Sequence, residues 1–213
     1  MSAKKNEIHF VLGSSSPRRK ELLSQIGVFP DKIVSPNIEE NVLKKEVPLS
    51  YVKRMVEQKM NSVQKKYPKS LILTADTIVS VGRRVLSKTF VREELLKHLD
   101  LLSGRRHRVI TAFSICSPFS KQKVKHVTSI VKFKRLTPEE KDFYLKSNEW
   151  KGKAGGYAIQ GIASRYVSFL SGSYSNVVGL PTETVYGLAG NAYSKSSVKK
   201  IFNLKGRPKN NPI

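Results

Sequence analysis

The sequence predicts an α/β fold in a single domain, a mixed, partly antiparallel twisted sheet flanked by helices. Three observations carry that reading. Short apolar runs of β-forming residues alternate with stretches whose apolar positions recur at helical spacing. Two long β-rich runs, Val109 to Cys116 and Val124 to Phe133, lie on either side of Pro118 to Lys123, as an antiparallel pair would. A chain of 213 residues buries one substantial core, and no repeat, low-complexity linker or Pro/Ser-rich hinge precedes residue 180.

Ile8 to Leu12 reads as a short strand. It leads through Gly13-Ser14-Ser15-Ser16 into a helix bearing Glu21, Leu22, Leu23 and Ile26, with Ser16 as its expected cap and Pro17 in its first turn. Ser50 to Val63 places Val52, Met55, Val56, Met60 and Val63 on one helical face. Ser70 to Ala75 and Ile78 to Val81 read as strands around a polar break at Asp76-Thr77. Phe90 to Leu102 is helical and closes at Ser103-Gly104. Thr137-Pro138-Glu139-Glu140 is a capping box with proline at N1, so a helix starts there and runs toward Lys146. Glycines then cluster at positions 152, 155, 156 and 161.

Thirty-nine Lys and Arg against sixteen Asp and Glu give a formal net charge of +23, which suits polyanionic company: nucleotides, nucleic acid or an anionic membrane surface. The lysines are scattered, so charge alone does not choose among these. No apolar run approaches the roughly 18 residues of a membrane span, and the N-terminal apolar stretch is too short for a secretory segment. The lone Cys116 excludes an internal disulfide and a cysteine-based metal site, which makes a reducing cytoplasm the expected compartment. Cys116 itself reads as a small core residue.

The polar residues narrow the chemistry. Arg18, Arg19 and Lys20 crowd the positive end of a helix dipole, an unfavourable placement of a few tenths to about 1 kcal/mol per charge. Cations gather there sensibly around an anion held by backbone N–H groups, serine hydroxyls and guanidinium forks. The segment therefore reads as a phosphate-binding strand–loop–helix, with a solvated basic first turn as the plainer alternative. Asp76 at a strand end suits a catalytic carboxylate or metal ligand, or else an Asx-turn. Glu39-Glu40 could join it around a hard cation. Gln160, between Ile159 and Gly161 in a glycine-rich loop, offers an amide suited to a nucleobase edge, or closes a tight turn. His107 reads as structural rather than as a catalytic base. No P-loop, GxSxG, HExxH or CxxC pattern is present.

Together these segments closely resemble the Maf family of nucleoside triphosphate pyrophosphatases. The matches are Gly13-Ser-Ser-Ser-Pro-Arg-Arg-Lys-Glu-Leu-Leu23, Ile38-Glu-Glu40, Tyr51-Val-Lys-Arg54 with Lys59, and Ala75-Asp-Thr-Ile-Val79. They continue through Val85-Leu-Ser-Lys88, Leu102-Ser-Gly104 with His107, Lys153-Ala-Gly-Gly-Tyr-Ala-Ile-Gln-Gly161, and Gly172-Ser-Tyr-Ser-Asn-Val-Val-Gly-Leu-Pro181. The resemblance implies a Maf/ITPase-like fold and hydrolysis between the α- and β-phosphates, giving a nucleoside monophosphate and pyrophosphate with a divalent cation, Mg or Mn. It implies Asp76 as proton acceptor and Glu40, with Asp76, as metal ligand. Arg18, Thr77 and Gln160 match positions that set base selectivity, similar to the branch preferring dTTP and UTP, and modified pyrimidine triphosphates are further expected substrates. Ser14, Arg19, Lys59 and Lys88 would hold the triphosphate, and a homodimer is implied as well. Two departures stand out: Gly13-Ser14 where the family has Ala-Ser, and Ser87-Lys88-Thr89 where it has Gly-Lys-Pro.

After Pro181 the likeness changes. Leu180-Pro-Thr-Glu-Thr-Val-Tyr-Gly-Leu-Ala-Gly190 and Ile201-Phe-Asn-Leu-Lys-Gly-Arg-Pro-Lys-Asn-Asn-Pro-Ile213 resemble the opening of a YrdC-type threonylcarbamoyl-adenylate synthase. This implies a Maf-like domain over residues 1–181 and a fragment over 182–213 too short to form a domain of its own. Val185, Leu188, Val198, Ile201 and Phe202 would replace a lost packing helix; the rival is that Lys205 and Arg207 still bind nucleotide. The competing function is a catalytically impaired nucleic-acid or septum-associated binding protein, motivated by the charge of +23.

Overall fold

The computed structural model describes residues 8–184; the fragment's Val185, Leu188, Val198, Ile201, Phe202, Lys205 and Arg207 lie outside the described residues. Seven strands form one sheet: β1 (Phe10–Gly13), β2 (Lys32–Val34), β3 (Leu71–Val81), β4 (Arg84–Leu86), β5 (Arg106–Ser117), β6 (Ser120–Phe133) and β7 (Val167–Ser171). Among the described residues the sheet is accompanied by the α-helices α1 (Pro17–Gln25), α2 (Pro48–Gln64), α3 (Arg92–Leu102), α4 (Pro138–Lys146) and α5 (Tyr174–Val178), with short 3-10 turns at Ala154–Gly156 and Ile162–Tyr166. The strand order is β2-β1-β3-β5-β6-β7, with β4 paired to the far end of β3. The β1 pairings with β2 and β3 are parallel; β3, β5, β6 and β7 are antiparallel neighbours. The mixed sheet is the one its sequence pattern predicts.

Strand alternation divides the core into two faces. From β3, Leu73, Ala75 and Val79 join Leu22 and Leu23 of α1, Leu95 and Leu99 of α3 and Tyr144 of α4 in the larger cluster. Ile72 and Ile78 point the other way, onto α2, where Val52, Met55, Val56, Met60 and Val63 form the buried stripe its periodicity predicts. Cys116 is buried with Met60 and Val63.

Local signals held unevenly. The capping box forms, with the Thr137 hydroxyl accepting from Glu140 N–H and the Glu140 carboxylate accepting from Thr137 N–H. Pro17 occupies the first turn of α1, but Ser16 at the N-cap makes no side-chain bond. The polar break expected at Asp76-Thr77 is absent: β3 runs unbroken through both, because β5 pairs with each in turn, Ala112 opposite Asp76 and Thr111 opposite Thr77. The hairpin between β5 and β6 is also tighter than the Pro118 to Lys123 connection expected, with Ser117 already facing Ser120.

One glycine is required by both conformation and space. Gly155 has φ +66°, and a Cβ there would lie 2.7 Å from Val79 on β3. Gly155→Ala is therefore expected to lose roughly 2 kcal/mol or more, from backbone strain plus overpacking. Urea unfolding reads it as a lower midpoint at constant slope, and an unchanged midpoint would refute the packing described.

Candidate active site

A cleft of about 380 Å³ opens where the β1–α1 loop, the middle of β3, the 151–154 segment and the end of α5 meet. Four of the residues singled out from the β1–α1 segment and β3 line it: Ser14, Arg18, Arg19 and Thr77. Arg19 is 7% exposed and bound on three sides. Its Nε donates to the Gly179 carbonyl (2.9 Å), one terminal nitrogen to Ser14 Oγ (2.8 Å) and the other to Thr77 Oγ1 (3.1 Å). Burial weakens its hold on its proton, opposed by the charge of Asp76, but a guanidinium stays ionised. The expected anion-binding loop thus becomes a fixed guanidinium at the foot of a cleft rather than a solvated basic turn.

Arg18 and Lys153 flank it. Burial lowers the pKa of each, and for Lys153 the neighbouring Arg18 charge lowers it further. Like charges held this close raise the site's free energy until an anion enters. Gly13 fits its departure from the family's usual alanine, since a Cβ there would meet Thr74 Cγ2 at 2.7 Å.

Asp76 and Thr77 are adjacent on β3, so their side chains leave opposite faces of the sheet. Thr77 enters the cleft, while Asp76 turns toward α2 into an adjoining recess of about 160 Å³. Glu40, Thr77, Lys88 and Ala154 line both spaces and connect them. Lys59, which lines the main cleft, reaches Asp76 from there: its buried ammonium contacts Asp76 Oδ1 at 2.6 Å and Glu40 Oε1 at 2.7 Å. Lys88 holds the other Glu40 oxygen at 2.7 Å. Two acids and two ammonium groups thus alternate in one chain. Glu40 is the member of the acidic pair that enters; Glu39 lines a separate outer groove. Gln160 is exposed and outside the cleft lining. His107 is buried against Tyr157 Oη (2.8 Å), and burial lowers its pKa to about 4, so it is neutral at pH 7 and braces a cleft-wall tyrosine.

The arrangement provides a cationic grip for a polyanion beside a buried carboxylate. Asp76 and Glu40 are the acids that could share a cation; among the described residues no three His, Cys, Asp or Glu cluster together. Sequence reasoning missed Thr111, Asn176 and Gly179, which set the conformations of Thr77 and Arg19. Thr111 lies in an uninterrupted β-rich run that marks no site, whereas Asn176 and Gly179 stood in the segment 172–181 without an assigned role.

The ion chain has a pH signature. Burial pushes the Glu40 carboxyl up, but Lys59 and Lys88 outweigh it and hold it at about 2 against an ordinary 4.5. A carboxyl depressed in the folded state stabilises fully above its unfolded pKa, and that contribution is lost as pH falls through the folded one. Between about pH 5 and pH 2, Glu40→Gln should therefore flatten the acid limb of the melting temperature relative to wild type. Parallel limbs for the two proteins would contradict the pairing.

A family profile described as Maf-like protein matches residues 9–192. A second, described as Telomere recombination, matches residues 174–213, so the two overlap over 174–192. A nucleoside triphosphate pyrophosphatase of Anaplasma phagocytophilum is 45% identical over 178 residues, covering 84% of this chain and 92% of its own. A dTTP/UTP pyrophosphatase of Zymomonas mobilis is 45% identical over 192 residues, covering 90% and 95%. A solved nucleoside-triphosphatase, dITP/XTP pyrophosphatase, from Mycobacterium abscessus has a TM-score of 0.41 at 15% identity over 61% of this chain and 76% of that one, too distant to bear on the site. By its sequence over residues 9–192, the chain belongs to the Maf-like protein family.

Proposed function

We propose that this protein hydrolyses nucleoside triphosphates, dTTP and UTP among them, to the nucleoside monophosphate and pyrophosphate. The observation that carries the reading is the chain Asp76–Lys59–Glu40–Lys88 beside the fixed Arg19 guanidinium, joined through shared walls. Arg19, Ser14, Lys59 and Lys88 hold the triphosphate, and their preset positions favour the charge that builds on the leaving pyrophosphate. A water oxygen bonds to the α-phosphorus, the bond to the bridging oxygen breaks, and the proton passes to Asp76. Lys59 takes Oδ1, which leaves Oδ2 as the atom to receive that proton. Arg18 and Thr77 line the cleft and carry base selectivity; Gln160, assigned to the same task by family resemblance, is exposed and outside the cleft lining.

The donor set fits a divalent cation, Mg or Mn. Such ions use one or two protein carboxylates and complete their shell with phosphate oxygens and water, and Asp76 and Glu40 already converge within reach of one ammonium. When bound, the cation supplies charge neutralisation for the triphosphate. A reducing cytoplasm suits the single Cys116, and among the described residues no helix is long and apolar enough to cross a membrane. A homodimer belongs to the same proposal by family resemblance.

Residues 1–181 form the catalytic domain in this reading, and 182–213 serve as packing rather than as a second domain. The fragment's first residues support this by docking on α5: Thr182 N–H and the Glu183 carboxylate both bond Ser175 Oγ, at 3.1 and 2.7 Å. Deleting residues 190–213 should lower the melting temperature while the surviving protein keeps its turnover. A selective loss of ATP binding would instead support nucleotide contacts by Lys205 and Arg207.

The deciding measurement is pyrophosphate release across a panel of nucleoside triphosphates with Mg. Asp76→Asn should lower kcat by about 10²–10⁴-fold, the usual worth of a positioned general base. Equal rates for variant and wild type would remove Asp76 from its role, and salt-steep DNA or RNA binding without turnover would favour the binding-protein alternative.

A further inference from the structure

Behind the cleft lies a hydrogen-bond chain that the proposed chemistry does not use. Thr111 on β5 and Asn176 on α5 are both fully buried. The Asn176 amide nitrogen donates to the Val109 carbonyl (3.1 Å) and to Ser129 Oγ (2.9 Å), which ties α5 to two strands. The Asn176 backbone carbonyl accepts from Thr111 Oγ1 at 3.2 Å. A hydroxyl has one proton, so Thr111, having donated it, can only accept at its 2.9 Å contact with Thr77. Thr77 therefore points its own proton inward, toward Thr111 or the Gly179 carbonyl, and presents its oxygen to Arg19. The same Gly179 carbonyl takes Arg19 Nε. Three of the five guanidinium N–H groups are thus committed to Ser14, Thr77 and Gly179, which leaves two on a side chain that lines the cleft.

We propose that Thr111 and Asn176 are positioning residues for the triphosphate grip. They act through Thr77 and Arg19: anchored α5 carbonyls fix the Thr77 rotamer and the plane of the guanidinium fork. The role rests on the nucleotide reading above and deepens it, because it makes the end of the domain part of substrate binding rather than mere closure of the fold.

Thr111→Val removes the hydroxyl while keeping β-branching. It should raise KM for dTTP or UTP roughly threefold to tenfold, the worth of one hydrogen bond, with kcat within about twofold. Thr111→Ser should restore KM. Combined with Arg19→Lys, Thr111→Val should add little, since both break one unit. A role confined to stability would lower the melting temperature and leave KM and the coupling with Arg19 untouched. An unchanged KM in folded Thr111→Val, no rescue by serine, or full additivity with Arg19→Lys overturns the proposal. Should Thr111→Val fail to fold, Ser129→Ala, which removes one Asn176 anchor, must raise KM, and an unchanged KM there overturns it equally. A wild type that neither turns over nor binds a non-hydrolysable triphosphate analogue overturns the nucleotide reading as well; an active wild type with an indifferent Thr111→Val overturns the relay alone.

Discussion

A single buried ammonium organises the acidic half of the site. Lys59 Nζ lies 2.6 Å from Asp76 and 2.7 Å from Glu40; without it Asp76 would face Glu40 with no ammonium partner, and Glu40 would keep only Lys88. Breaking such a buried pair by removing one partner costs about 3–5 kcal/mol, because a naked charge is left in a poor dielectric. Lys59 can reach that position because α2 packs a continuous apolar stripe against the sheet and carries the lysine in register beside it. Helix packing thus sets the separation of the two acids, and the acids fix the loop that brings Glu40 in from outside the sheet.

The second organising constraint is the period of a strand. Asp76 and Thr77 are neighbours in sequence, yet β3 sends one toward α2 and the other toward Arg19. Asp76 and Arg19 are thereby placed on opposite sides of one strand, with Glu40, Thr77 and Lys88 lining both of the spaces between them. A loop at this point could let the arginine and the aspartate collapse into an ion pair. An eleven-residue strand paired with β5 through both residues cannot.

The cationic character of the chain has two components. Many lysines are scattered over the surface, but Arg19 is buried and spends its donors on fixed oxygens. One of those oxygens, the Gly179 carbonyl, lies inside the 174–192 stretch where the two family likenesses overlap. The change in sequence character after Pro181 therefore falls beyond the contacts that hold the guanidinium.

Much of this architecture was legible from residue patterns. Helical spacing marked the buried face of α2, the Thr137–Glu140 box marked the start of α4, and Pro17 marked the first turn of α1. The identities of Asp76, Lys59, Glu40, Lys88 and Arg19 as polar exceptions in a basic, mixed-element chain were legible as well, through family resemblance. Short elements such as β2, β4, β7 and α5 were not, since three to five residues hold too little periodicity to register.

Sequence alone determined which segments could be helix or strand, which follows from local periodicity and capping, and which side chains were candidates for chemistry, which follows from residue type and family resemblance. Only the tertiary structure decided that β3 continues through Asp76-Thr77, that Glu40 rather than Glu39 enters, that Gln160 stays outside the cleft lining, and that Thr111 and Asn176 stand behind Arg19. Each of these depends on pairing between residues far apart in the chain, and the energy of a hydrogen bond or buried ion pair is set by that long-range geometry, not by local order.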